Sequence, residues 1–237
     1  MNKELETIYI NYHFLFKDGS EEYFPINLRL KDLTFISEDE VNRPPWARLD
    51  FNKCENCPLK AQDHPYCPVA VSIADIIPKF KDRKSFETVL LRVTTPERIF
   101  EKVTPLQQGL GSLLGIFMVT TGCPHMRMLR PMVRFHLPFA TVEETIYRAA
   151  SAYLLGQFFR MKKNMQPDWD LQDLAKKYEE IQSVNMGITD RLRSISEEDA
   201  NANAIVVLDV FAKALPSSIF VDLRELEYLF SDRFDNV

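Results

Sequence analysis

The sequence holds only four cysteines, no excess of basic charge, and no apolar run long enough to cross a bilayer. Each scarcity excludes something. The net charge is −5 at neutral pH, so the chain lacks the positive excess that releases counterions from nucleic acid or holds an anionic membrane surface. Neither nucleic acid nor membrane is expected among its partners. The longest nearly apolar stretch, Leu110 to Val119, is too short to span hydrocarbon and is interrupted by glycines. Met1 to Glu6 carry acids where a signal peptide would carry an apolar run. A cytoplasmic location is therefore expected. Thiols there stay reduced, which turns the four cysteines away from disulfides and toward metal. There is also no P-loop, no dinucleotide fingerprint, no Gly-x-Ser-x-Gly and no His-Glu-x-x-His, and the chain carries no repeats or low-complexity tracts.

What is present describes an α+β protein, a small antiparallel sheet with a cysteine loop followed by a helical bundle. With 46% of its residues hydrophobic, the chain has material for a core without staples. Ile8, Ile10, Tyr12, Phe14 and Phe16 alternate on one face, and Phe24, Ile26, Leu28 and Leu30 repeat the pattern after an Asp18-Gly19 turn, which predicts a hairpin over residues 7–30. Trp46 to Phe51 reads as a strand leading into Cys54, and Val69 to Ile77 as a short helix. Phe86 to Thr94 and Ile99 to Val103 read as a second strand pair. From Pro105 the period becomes helical. Gly109, Gly111 and Gly115 each cost about 1 kcal/mol in a helix interior, so something must pack closely on them: a neighbouring helix, or in the sharper reading a bound cofactor. Thr141-Val142-Glu143-Glu144 is a capping box. A helix opened by Asp168 carries Leu171, Leu174, Tyr178, Ile181, Asn185, Ile188, Leu192 and Ile195 at alternating steps of three and four. This seam has one polar position and predicts a bundle contact or, as the alternative, a homodimer through the 171–195 helix. Gly187 is expected to bend it. A further helix from Ser196 is expected to stop at Pro216, with Ser218 capping a last short one. The division is a β-rich part, 1–104, and a helical part, 105–237, either separate or merged into one domain.

The chemistry concentrates in Cys54-Glu55-Asn56-Cys57-Pro58-Leu59 and Tyr66-Cys67-Pro68-Val69-Ala70, with the remaining cysteine in Gly122-Cys123-Pro124-His125. Two cysteines two residues apart place both sulfurs on one ion, and the turn between them points backbone N–H groups at the thiolates. Cys67 and Cys123 would complete a set of four, with His64 or His125 as a substitute ligand or a supporting group. Zinc takes such a set in tetrahedral geometry. A four-iron four-sulfur (4Fe–4S) cluster takes it equally, and the prolines after Cys57, Cys67 and Cys123 fit that alternative. The plainer reading is four small buried hydrophobes.

The run Cys54 to Leu59 followed by Cys67-Pro68 resembles the iron–sulfur loop of the endonuclease III and adenine glycosylase family. It departs in the distant fourth cysteine and in having no helix-hairpin-helix motif, so DNA repair is not carried over. Taken whole, the chain resembles a bacterial family of unknown function. That resemblance rests on the two cysteine runs, Gly122-Cys123-Pro124-His125, Phe135-His136-Leu137-Pro138-Phe139-Ala140-Thr141 and Asn164 to Trp169, and implies no activity.

Three functions stay open. The first is a non-catalytic metal-binding protein, acting by interaction with a protein partner or by regulation, with zinc held by Cys54, Cys57, Cys67 and Cys123. The second is an iron–sulfur redox protein or sensor. The third is an enzyme with its pocket under the glycine-rich helix, using Cys123 as nucleophile and His125 as base. Arg127, Arg130 and Arg134 offer an anion site beside the loop, with solvated surface as the plainer reading. Met126, Met128, Met132 and His136 read as packing rather than as soft-metal ligands.

Overall fold

The computed structural model describes residues 7–36, 42–195 and 199–231. The helix start expected at Ser196, Glu197 and Glu198 and the acidic segment Met1 to Glu6 lie outside the described residues. The fold is α+β, as the sequence pattern predicts.

Alternation builds the sheet. β1 (Thr7–Phe16) and β2 (Glu21–Arg29) form the expected hairpin. Its turn needs a residue tolerant of positive φ, and Gly19 sits at +84°. Asp18 Oδ1 accepts from the Ser20 amide at 2.9 Å and from its hydroxyl at 2.5 Å, which closes the turn. β3 (Thr88–Thr94) and β4 (Ile99–Pro105) complete an antiparallel sheet of order β2-β1-β3-β4. The alternating side chains of β1, together with Phe24, Ile26 and Leu28, are buried on one face; Leu30 lies past the end of β2 and is exposed.

Helices cover that face. α1 (Pro68–Ile73) is shorter than expected and gives way to a 3₁₀ turn at Ile77–Phe80. α2 (Leu106–Val119) runs between the sheet and a later helix, and its glycines make both approaches possible. A β-carbon on Gly109 would stand 2.6 Å from Leu91 of the sheet, and one on Gly111 would stand 2.8 Å from the Ala204 carbonyl oxygen. The glycine face thus meets packed protein, a helix on one side and the sheet on the other. α3 (Arg130–Arg134) is brief and follows a 3₁₀ turn at Arg127–Leu129. α4 (Val142–Lys162) starts on the predicted capping box, with Thr141 Oγ1 accepting from the Glu144 amide and the Glu144 carboxylate accepting from the Thr141 amide.

α5 (Gln172–Arg193) carries the predicted seam, and Leu174, Tyr178, Ile181, Asn185, Ile188 and Leu192 are buried within the chain. The seam is therefore occupied inside one molecule, chiefly by α6 (Ala200–Phe220). Two expectations about this half need correction. α5 continues through Gly187 without interruption, and α6 continues through Pro216 to Phe220, with Ser218 inside it rather than capping a new helix. The last element is a 3₁₀ turn, Arg224–Leu229. By length and composition α6 would suffice to cross a membrane, with a mean hydropathy of 1.5; here it packs against α2 and α5. One apolar cluster runs from Ile8 in the sheet to Leu226 near the end of the chain, so residues on both sides of the Val103 to Pro105 junction share a core.

Candidate metal centre

The loop that carries three of the cysteines is held from behind by a buried cation. The segment expected to be a strand, Trp46 to Phe51, is instead a 3₁₀ turn (Pro45–Ala47) followed by a single bridge between Arg48 and Tyr66. The Cys67 amide donates to the Ala47 carbonyl at 2.8 Å and the Leu49 amide to that of Pro65 at 3.0 Å. Arg191 of α5, fully buried, fixes this segment: its guanidinium donates to the carbonyls of Trp46 (2.7 Å), Arg48 (2.7 Å) and Leu49 (3.2 Å). Among the described residues no carboxylate forms an ion pair with it, although Asp50 feels its charge. Its charge also reaches the Cys54 thiol.

Cys54 and Cys57 are joined by a turn in which the Cys57 amide donates to the Cys54 carbonyl at 3.1 Å. This turn lies on α5 at Gly187, where a β-carbon would stand 2.7 Å from the Cys54 sulfur and 3.3 Å from its Cα. The glycine read in sequence as a bend is the place where the loop fits.

The fourth cysteine is brought to the same place. His125 Nε2 meets the Asn56 carbonyl at 3.0 Å, which ties the Cys123 turn to the Cys54–Cys57 turn. A β-carbon on Gly122 would sit 4.0 Å from Pro68, the neighbour of Cys67. Arg130 holds the approach by donating to the carbonyls of Val119 and Thr121. The Cys54 thiol feels the charges of Cys67, Cys57 and Cys123, and Cys123 feels those of Cys67 and Cys57. All four are free thiols. Burial pushes Cys54 up to about 12, with the other cysteines adding to the shift. Burial also raises Cys123, but the backbone amides of Met126 and His125 point at its sulfur and oppose the rise. Among the described residues no three histidine, cysteine or acidic side chains stand close enough to hold a metal as placed. The thiols gather without closing to ligating distance.

The two histidines separate. His64 is exposed and, among the described residues, its side chain makes no hydrogen bond. His125 is a brace: Nδ1 meets Glu180 Oε2 at 2.9 Å while Nε2 meets the Asn56 carbonyl. Both ring nitrogens are thus engaged by oxygen atoms in this arrangement. Burial raises the Glu180 carboxyl, but Lys177, at 2.9 Å, and His125 outweigh it and hold it below the usual range. Asn56 also donates to the Glu180 carbonyl at 2.9 Å.

Sequence reasoning missed Glu180 and Arg191, since charges beside an apolar seam read as solvated. The signal was their placement: successive turns of α5 put Glu180, Gly187 and Arg191 along one stripe. The expected arginine anion site is not assembled. Arg130 binds carbonyls, Arg134 pairs with Glu97 at 3.2 Å, and Arg127 is exposed. His136 is the satisfied histidine expected, 2.5 Å from the Tyr12 hydroxyl, and burial lowers it to about 3.

With this geometry in view, one family comparison is decisive: the family described as a domain of unknown function, DUF6901, matches residues 10–231. The chain belongs to this family. No curated protein and no solved structure is similar to this DUF6901 chain. Membership accounts for the full-length resemblance in the sequence and attaches no reaction to the DUF6901 cysteines.

The donor chemistry fits a soft or borderline metal. Four free thiols are available, and amides already point at one sulfur. A divalent ion bound to four thiolates leaves a net charge of about −2, and the buried Arg191 is a cation for which that charge is a counterion.

Proposed function

We propose that this protein binds one zinc ion through Cys54, Cys57, Cys67 and Cys123, and that the metal is structural. In this reading it joins the loop before α1 to the turn after α2, two parts of the chain that the sequence separates. The observation that carries the reading is the convergence of Cys123 with the other three, supported from behind by His125, Arg130 and Arg191. Metal binding releases the protons that burial favours on Cys54 and Cys123, so the ion supplies part of the folding free energy. The protein acts in the cytoplasm by interaction or regulation and not by a reaction of its own, since the one histidine beside the thiols has both ring nitrogens in use.

A second reading is a 4Fe–4S cluster held by the same four cysteines. The amides directed at Cys123 favour it, because hydrogen bonds to sulfur tune such clusters. The prolines after Cys57, Cys67 and Cys123 are the second feature on its side.

Anaerobic purification followed by treatment with a strong chelator tests both. Under the zinc reading the protein is colourless, and chelation unfolds it cooperatively. A brown protein with broad visible absorbance that bleaches in air would replace zinc with the cluster. A colourless protein whose thermal unfolding ignores the chelator would overturn both readings.

A further inference from the structure

Away from the cysteines, α2, α4, α5, α6 and the segment from Met126 to Ala140 line a partly open cavity of about 180 Å³. Its walls are largely apolar, with Met126, Met132 and Phe211 among them. An apolar cavity of about 150 Å³ is enough to hold benzene, so this one has room for a single ring and a small head group. Two polar features set it apart from a packing defect.

The first is Asn185, the polar position in the α5 seam. It is 2% exposed, lines the cavity, and, among the described residues, neither its amide nitrogen nor its oxygen has a hydrogen-bond partner. Burying an amide without a partner is unfavourable, a cost that a leucine at this seam position would avoid. A coiled-coil asparagine can fix register, but among the described residues nothing hydrogen-bonds to Asn185 across the seam. The second is Arg148, the one charged side chain on the wall. It is anchored by bonds from Nη2 to the carbonyls of Met132 and Phe135, both at 3.0 Å. Among the described residues no carboxylate forms an ion pair with it, and Glu144 acts on it only at longer range. His136, also on the wall, already bonds to Tyr12.

A cation and an unpaired amide donor on a largely apolar wall, which Gln108, Ser112, Thr145, His136 and Tyr178 also line, match an anion with a flat apolar body. We propose that this cavity binds a single-ring aromatic carboxylate, with its ring against Met126, Met132 and Phe211 and its carboxylate on Arg148 and the Asn185 amide. Methionine sulfur packs favourably against ring edges and adapts to ring shape. A guanidinium and a carboxylate in a low-dielectric site form the stronger class of hydrogen bond. The proposal is independent of the metal reading, because none of its contacts is a cysteine.

The test is calorimetric titration of the full chain, as purified, with benzoate and separately with toluene. Saturable benzoate binding is expected, weakened about tenfold or more in Arg148→Gln, with toluene weaker than benzoate in the parent protein. Since Arg148 also holds two carbonyls, Asn185→Leu serves as the second variant. It is expected to melt at higher temperature than the parent and to lose benzoate binding. No saturable binding at millimolar benzoate overturns the proposal. So does binding that neither variant weakens, or toluene binding as tightly as benzoate.

Discussion

A β-carbon on Gly187 would stand 2.7 Å from the sulfur of Cys54 and 3.3 Å from its Cα. The second distance matters more, since a side chain there meets backbone that cannot turn aside. Gly187→Ala is expected to push the Cys54–Cys57 turn off α5 and to destabilise the protein by about 2 kcal/mol, the range for overpacking a fitted site. Better helix propensity would instead favour alanine by about 1 kcal/mol. Denaturant unfolding decides between the two signs, and a more stable variant would mean that the contact is not enforced.

Arg191 is the other fixed point on the same stripe. Arg191→Met keeps much of its volume but, among the described residues, leaves the carbonyls of Trp46 and Leu49 without donors and that of Arg48 with the Phe51 amide alone, at an expected cost of about 3 kcal/mol. If its charge also balances a metal–thiolate centre, the variant loses its metal to a chelator faster than a variant of equal stability altered elsewhere. Comparison with a core substitution such as Leu91→Ala separates the two effects.

His125 distinguishes a brace from a ligand. His125→Phe removes both the Glu180 and the Asn56 contacts. The expected outcome is unchanged metal stoichiometry with release to chelator about tenfold faster, the scale on which groups behind a ligand act. A fall in stoichiometry itself would place the ring in the ligand set.

The hairpin turn gives a pH test of the fold. Hydrogen bonds from Ser20 and then Arg83 hold the Asp18 carboxyl down to about 2, from an ordinary 3.8. A lowered carboxyl contributes stability that is complete above its unfolded value and is lost as pH falls through the folded one. Melting temperature should therefore decline between about pH 4 and pH 2 in part through this group, and Asp18→Asn should flatten that part of the profile. An unchanged slope in the variant would assign the decline to other carboxylates.

The strands of the sheet, the capping box and the α5 seam were legible because each depends on local period or on a few neighbouring residues. The gathering of Cys123 with the other cysteines was inferable from residue type alone. What escaped depends on distant packing. Trp46 to Phe51 has strand composition, yet Arg191 claims its carbonyls and leaves a turn with one bridge. Pro216 reads as a stop, but α6 continues past it to Phe220. Gly187 and Asn185 have ordinary local readings, a bend and a register device. Only the fold shows one beneath a cysteine and the other on the wall of a cavity.

The account rests on a metal held by four converging thiols, and elemental analysis of freshly purified protein tests this most directly. The expected result is one zinc per chain in the parent and a large loss of it in Cys57→Ser. A parent protein free of zinc and iron, with all four thiols reacting at once with a thiol reagent in the native state, would contradict it.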